Sequence, residues 1–382
     1  MTKFKIIVVA GARPNFMKIG PLMKELRSFY EDFESLLVHT GQHYDFQMSE
    51  VFFQELNIPK PDIFLDVKAG SHAFQTAEIM IAFEKVLIDH KPDLVIVVGD
   101  VTSTAACTLT AAKLGIKVAH VEAGLRSFDR TMPEEINRLV TDSLSDYLFV
   151  SEASGLVNLK NEGTDPKKIF HVGNIMIDTL IANIRTIDDS PVFEKHVLRK
   201  RGYAVATVHR PSNVDSKEAL SEVIGIFSMI TQRMPLVCPI HPRTRKNIET
   251  FGLMDRFSHM RNLVVTEPLG YIEFVKLVKE SKFVLTDSGG IQEETTVLKV
   301  PCITMRENTE RPSTVDEGTN VLVGRNTKKI EVLVRKIQKD QWKKGHVPKY
   351  WDGKTAVRIV AVLRKAAARQ RNAMGKILTA NS

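Results

Sequence analysis

Apolar runs of five to eight residues recur along the chain, and most end in small or polar residues. KIIVVAGA (5–12), SLLVHTG (35–41), DLVIVVGD (93–100) and KVAHVEAG (117–124) have this form in the first half. YAVATVHR (203–210), LVCPIHP (236–242), NLVVTEPL (262–269), FVLTDSGG (283–290) and PCITMR (301–306) repeat it in the second. Between them lie stretches with helical spacing, such as HAFQTAEIMIAFEKVLIDH (72–90) and TAACTLTAAKLG (104–115). FMKIGPLMKELRSF (16–29) is helical in pattern too, with Pro21 predicting an irregular start. Continuous apolar strands alternating with amphipathic helices predict parallel sheets covered on both faces.

The polar stretch DDSPVFEKH (188–196) interrupts the pattern, which then starts again. The expected organisation is α/β: a Rossmann-like domain over 1–187, a hinge at 188–200 and a second Rossmann-like domain over 201–354. A terminal helix over 355–382 would cross back to the first domain. Two doubly wound domains of this kind would leave an interdomain cleft at the carboxyl ends of both sheets, where ligands of such folds bind. The stretches GARP, HTGQH, GDVTS, VEAGLRS, VHRPSN, IHPRT and TDSGG all fall at predicted strand ends.

Composition narrows the class. The 382 residues are 43% hydrophobic and 26% charged, which is ordinary for a globular protein of two domains. No apolar run reaches the ~18 residues a membrane span needs. The first apolar run flows into turn residues and reads as a strand rather than a signal peptide. Three widely spaced cysteines make neither a zinc pattern nor a disulfide framework, and fit a reducing cytoplasm. The formal net charge of +8 suits a polyanionic small substrate such as a nucleotide. The basic run RKAAARQR (364–371) reads as a solvated helix face, and no nucleic-acid motif accompanies it.

Several familiar chemistries lack their signatures. There is no G-x-G-x-x-G after a strand, no P-loop, no G-x-S-x-G elbow and no metal-ligand spacing. What remains is acids and cations at strand ends. Asp100, Glu122, and the pair Glu134 and Glu135 fall on successive loops of one sheet edge. Crowded carboxylates raise one another's pKa and can hold a proton for acid–base chemistry, although any one of them alone could be a helix cap. Arg13, Lys18, His209, Arg210, His241, Arg243, Arg306 and Arg311 supply the opposite charge, as a diphosphate would require. In TDSGGIQEE (286–294) two glycines precede Gln292, Glu293 and Glu294, which read as a helix start. Glycine there permits either a tight turn or the close approach of a phosphate to backbone amides.

Taken in order, GARPNFMKIGPL, HTGQHYD, GDVTSTAA, HVEAGLRS, PEEINR, VGNIMIDTL, VHRPSNVD, IHPRTRK, TDSGGIQEE and TERPS resemble the non-hydrolysing UDP-N-acetylglucosamine 2-epimerase family across residues 11–313. The resemblance implies the GT-B architecture. It also implies reversible inversion at C2 by elimination of UDP, passage through a 2-acetamidoglucal and re-addition. Asp100, Glu122, Glu134 and His209 match the family's catalytic positions. Arg13, Lys18, Ser288, Gly289 and Gly290 match its nucleotide contacts, and Glu294 its ribose-binding acid. His241, Arg243 and Arg311 are additional candidates. Gln42 and His43 match a site for an activating second UDP-sugar, but the loop that carries them is longer and a later arginine is missing. The resemblance implies no cofactor, no metal, a UDP-sugar as the small-molecule partner and a homodimer. Three alternatives stay open: a hydrolysing epimerase, a GT-B glycosyltransferase, and a UDP-sugar-binding protein without catalysis. A modified UDP-2-acetamido sugar is an open substrate.

Overall fold

The computed structural model of the chain describes residues 3–11, 13–41, 55–56, 58–68, 70–196 and 198–380. It divides into two compact units, Met1–Ala182 with Lys349–Ser382, and Asn183–Pro348. Each is α/β around one parallel sheet.

The first unit has strands β1 (Phe4–Ala10), β2 (Phe33–His39), β3 (Ile63–Phe64), β4 (Leu94–Val98), β5 (Lys117–Ala123), β6 (Tyr147–Val150) and β7 (Ile169–His171). Their spatial order is β3-β2-β1-β4-β5-β6-β7. The second has β8 (Ala204–Thr207), β9 (Leu236–Pro239), β10 (Leu263–Thr266), β11 (Phe283–Thr286), β12 (Cys302–Thr304) and β13 (Asn320–Leu322), in the order β10-β9-β8-β11-β12-β13. Every pairing is parallel. The order reverses between β1 and β4 in one unit and between β8 and β11 in the other. At such points the loops leaving adjacent strands diverge and open a crevice for a ligand.

The strands are mostly apolar because helices cover both faces. All five residues of β4 are buried, and each buried Val or Ile contributes about 1.5–3 kcal/mol. Helix His72–His90 matches the predicted segment and packs Ile79, Phe83, Val86 and Leu87 inward. No helix among the described residues is long and apolar enough to cross a membrane.

Pro21 does not delay the first helix, contrary to the expectation from sequence. The helix runs from Arg13 to Ser28 with Pro21 inside it. Proline has no N–H to give the carbonyl four residues earlier, that of Met17. The hydroxyl of Thr179, on the neighbouring helix Ile175–Ala182, donates to that carbonyl instead. Asp178 beside it accepts the backbone amides of Thr355 (3.0 Å) and Ala356 (2.8 Å), the first two residues of helix Thr355–Ala380. That helix packs on Arg13–Ser28, and Arg364 and Arg371 on it both bond Asp32. Residues 184–188 and 192–196 form short helices of the second unit that pack on Tyr271–Glu280.

Candidate functional site

In the first unit the loops after β1, β4 and β5 are tied together by side chains. Asn15 accepts the Gly11 amide (3.2 Å) and donates to the Val98 carbonyl (2.9 Å), joining the ends of β1 and β4. One turn further along the same helix, the Lys18 ammonium bonds the Glu122 carboxylate, and both groups are buried. Glu122 has φ of +78°, a left-handed conformation that is sterically costly outside glycine. The β5–β6 register shifts between Val121 and Ala123, so Glu122 occupies a bulge. A bulge re-aims one side chain of a strand, and strained backbone of this kind clusters at functional sites. Gly99 abuts the pair: a Cβ there would lie 3.1 Å from Lys18 Nζ and 3.8 Å from Glu122 Oε2.

Asp100 follows Gly99, and its carboxylate is bonded by the buried Arg138 of helix Pro133–Leu144. The same guanidinium reaches Glu135 (2.7 Å). Glu135 also accepts the amides of Ser127 (2.9 Å) and Phe128 (3.0 Å) and the Ser127 hydroxyl (3.0 Å). Burial pushes its pKa up, but these donors and Arg138 outweigh that and hold it below the usual value. Glu135 is therefore an ionised anchor for the loop after β5. Glu134, the neighbour singled out from sequence, stands exposed in the first turn of the helix.

In the second unit Asp287 is fully buried at the end of β11. It accepts the amides of His209 (3.0 Å) and Arg210 (2.9 Å) and the side chain of Asn213 (2.9 Å). Burial raises its pKa, yet the His209 imidazole, Asn213 and the Arg210 amide lower it further, so the net shift is downward. It thereby fixes the loop after β8, including the His209 ring, whose Nδ1 lies 3.2 Å away. The ring stacks on His241, with centroids 5.2 Å apart. His241 has a lowered pKa, first from burial and then from the charge of His209.

Helix Gly289–Leu298 opens with both glycines, so the helix begins three residues before the expected start at Gln292. Neither glycine has positive φ, so no tight turn requires them. Close approach is the reason at Gly289. A Cβ there would lie 2.6 Å from Arg311 Nη1 and 2.9 Å from Glu310 Oε1. Glu310 bonds Arg311 and Arg306 (2.7 Å to the latter), and Arg311 also pairs with Glu293 (2.8 Å). Burial would protonate Glu310, but the two guanidiniums hold it well below the usual carboxylate range. Two arginines are thus fixed beside a helix N-terminus whose first amides have no intrahelical acceptors, which is chemistry suited to a phosphate.

Glu294 lies one turn into that helix, buried against Tyr271. Its pKa is pushed up to about 8 by burial, with the charge of Glu293 adding to the rise and the Tyr271 hydrogen bond opposing it. Arg243 is committed elsewhere, to Asp215 on the exposed surface (2.7 Å from Nε). Arg13 opens its helix, and its side chain lies outside the described residues, as do Gln42 and His43.

The structure therefore joins Lys18, Glu122 and the Gly99–Asp100 loop in one unit, and Gly289 with Arg311, and His209 with His241, in the other. Sequence reasoning missed Asp287, Asn213, Arg138, Glu310, His120 and Asp142, whose task is to hold these groups. Asp287, Asn213, Arg138, Glu310 and His120 were signalled by their presence inside the quoted motifs, whereas Asp142 lies in none of them.

A family profile described as UDP-N-acetylglucosamine 2-epimerase matches residues 25–364. The chain is 45% identical over 362 residues to a UDP-N-acetylglucosamine 2-epimerase homolog of Methanococcus maripaludis, covering 94% of this chain and 99% of the relative. It is 42% identical over 323 residues to the UDP-2,3-diacetamido-2,3-dideoxy-D-glucuronate 2-epimerase of Pseudomonas aeruginosa, covering 84% and 88%. The crystal structure of the Methanocaldococcus jannaschii UDP-GlcNAc 2-epimerase in complex with UDP-GlcNAc and UDP matches with a TM-score of 0.85 at 41% identity, over 94% of this chain and 99% of that one. The parallel sheets of seven and six strands are those of the GT-B-like fold of such neighbours. The chain belongs to the UDP-N-acetylglucosamine 2-epimerase family.

Proposed function

We propose that this protein interconverts UDP-N-acetylglucosamine and UDP-N-acetylmannosamine by inverting C2, without net hydrolysis. The observation that carries the reading is Glu122, an acid in left-handed backbone at a strand end, paired with Lys18 and adjoining the Asp100 loop. The M. jannaschii enzyme, crystallised with UDP-GlcNAc and UDP, supports the choice of substrate.

The hydrogen on C2 has no neighbouring carbonyl to acidify it, so direct removal is hard. In this scheme the C1–O bond breaks first and its electrons leave with UDP. The cationic C1 then acidifies the C2 hydrogen, a carboxylate takes the proton, and the C–H electrons form the C1=C2 bond of 2-acetamidoglucal. Return of a proton to the opposite face of C2 and attack of UDP oxygen on C1 complete the inversion. Asp100, Glu122 and Glu134 are the acids for the two proton positions and for stabilising the cation. His209, Arg13, Lys18, the helix start Ser288-Gly289-Gly290 and Arg311 receive the diphosphate, and Glu294 receives the ribose hydroxyls. No hydride moves, so this route calls for no nicotinamide.

The test is a proton NMR time course with UDP-N-acetylglucosamine in D2O. UDP-N-acetylmannosamine carrying deuterium at C2 is the expected product. Accumulation of free N-acetylmannosamine and UDP would replace the reading with a hydrolysing epimerase. The P. aeruginosa relative favours a second reading, a 2,3-diacetamido glucuronate substrate. Turnover of that sugar nucleotide with UDP-N-acetylglucosamine left unchanged would establish it.

In this reading the enzyme works in the cytoplasm as a homodimer. Phe74, Ile81 and Ile88 lie exposed at seven-residue spacing on helix His72–His90, which supports a self-association face. Sedimentation equilibrium of the wild type against Ile81→Glu tests it, with a dimeric mass expected only for the wild type.

A further inference from the structure

The acids of the first unit sit on three separate elements: the loop after β4, the bulge of β5 and the helix Pro133–Leu144. One buried side chain, carried by β5 itself, bonds the other two. His120 lies on β5 two residues before Glu122 and is fully buried. Its Nε2 is 2.8 Å from the carbonyl of Gly99, the residue before Asp100. A carbonyl only accepts, so Nε2 carries a hydrogen and donates it. Its Nδ1 is 2.6 Å from Asp142 Oδ1, on the helix whose first turn carries Glu134 and Glu135. The second oxygen of Asp142 accepts the amide of Gly124 (3.0 Å), immediately beyond the bulge.

Asp142 is itself fixed. Arg126 approaches Oδ2 at 2.7 Å and grips Glu162 with two bonds of 2.8 and 2.7 Å. Asn158 donates to the Gly124 carbonyl at 2.9 Å. Burial alone would raise the pKa of Asp142, but His120 and Arg126 reverse that and keep it lowered. The polar chain from Gly99 to Glu162 runs mostly through the interior. A purely apolar interior could fill the same volume, but it would not set the height of Gly99 against Gly124. Both glycines have positive φ, of +69° and +81°, and flank the reacting loops.

We propose that His120, backed by Asp142, is a positioning residue that sets Asp100 and Glu122 relative to one another for proton transfer at C2. It touches no substrate. This inference rests on the epimerase reading above. It assigns the ring a kinetic task beyond filling the core, because misplacing a reacting group by about 1 Å can cost about 100-fold in rate.

Two substitutions separate the two bonds of the ring. His120→Asn keeps a donor near the place of Nδ1, facing Asp142, and loses the one on Gly99. His120→Gln keeps a donor near the place of Nε2, facing Gly99. Both are compared with the wild type in kcat, KM, deuterium wash-in at C2, UDP affinity and near-UV circular dichroism. For His120→Asn the expected result is a kcat about 100-fold lower, with wash-in slowed in parallel and KM and UDP affinity within about twofold. His120→Gln is expected to recover at least about tenfold of that loss. Wild-type turnover in His120→Asn overturns the proposal. So does equal loss in both variants together with loss of the near-UV signal, since that is a packing role only. A wild type that neither epimerises nor exchanges C2 hydrogen defeats the epimerase reading itself, and this inference with it.

Discussion

The Lys18 ammonium is bonded to the Glu122 carboxylate where both are largely shielded from bulk water, and Glu122 reaches that position only through a left-handed backbone. A buried ion pair adds little net stability, but removing one partner leaves an uncompensated charge. Lys18→Met is therefore expected to cost roughly 3–5 kcal/mol in urea unfolding. The double variant Lys18→Met with Glu122→Leu should regain most of that, since two apolar groups can replace the pair. Activity should be lost in both. A single variant as stable as the wild type would show that water or another donor already satisfies Glu122.

At the other candidate site the critical spacing is that of Gly289 and Arg311. A methyl group at position 289 would meet Arg311 Nη1 and Glu310 Oε1 well inside contact distance. Gly289→Ala must push the guanidinium away from the helix start. UDP affinity, measured by calorimetry, is expected to fall at least about tenfold, the equivalent of one lost charge-assisted hydrogen bond. Alanine in a helix is favoured over glycine by about 0.5–1 kcal/mol, so weaker UDP binding would not be explained by a weaker helix. Unchanged affinity would remove the glycine and Arg311 from the diphosphate site.

Nine strands and the alternation that orders them were readable in the sequence because a parallel strand buried on both faces is a continuous apolar run, whereas β3, β6, β7 and β13, of two to four residues each, were not anticipated. LVIVV and FVLT could hardly be anything else once helices flank them. The motif acids and glycines at strand ends were equally visible, since the end of an apolar run is marked by its first polar residue. Less visible were the groups that hold them. Asp142 lies 22 residues from His120, and Asp287 lies 78 from His209, so no local spacing announces either pairing. The helix start at Gly289 was misplaced by three residues because glycine in a first turn looks like glycine in a loop. Its reason, an arginine 22 residues later, is tertiary. Glu134 and Glu135 show the same limit from the other side. Adjacent helix residues point about 100° apart, and only packing decides which one is buried.

Pro21 and Thr179 form a second coupled pair. Thr179→Val leaves the Met17 carbonyl without its donor and is expected to destabilise by about 1–3 kcal/mol. In a Pro21→Ala background the new backbone N–H can take that carbonyl in the ordinary helical way, so Thr179→Val should cost much less. A double-mutant cycle by urea unfolding reads the difference directly, and a coupling of at least about 1 kcal/mol is expected. Additive effects would mean that Thr179 matters for packing and not for the proline.

Glu294 gives a pH dependence whose sign can be stated in advance. Its pKa rises from an ordinary 4.5 to about 8 on folding, because burial penalises the carboxylate. Between those values the folded state keeps a proton that the unfolded chain has released, so raising the pH favours unfolding. The stability tied to this group is full below about pH 4.5 and is lost as the pH climbs to about 8. Glu294→Gln keeps the shape but cannot ionise. Relative to the wild type it should therefore gain stability as the pH rises, with the difference growing from pH 5 to pH 8. Ribose hydroxyls would be held best by the ionised form, which can accept from both of them. Added UDP should then draw the proton off, so calorimetry at pH 7 in buffers of different ionisation enthalpy should show proton release on binding by the wild type and less by Glu294→Gln. Equal proton release from both would take Glu294 out of the ribose site while leaving the stability argument intact.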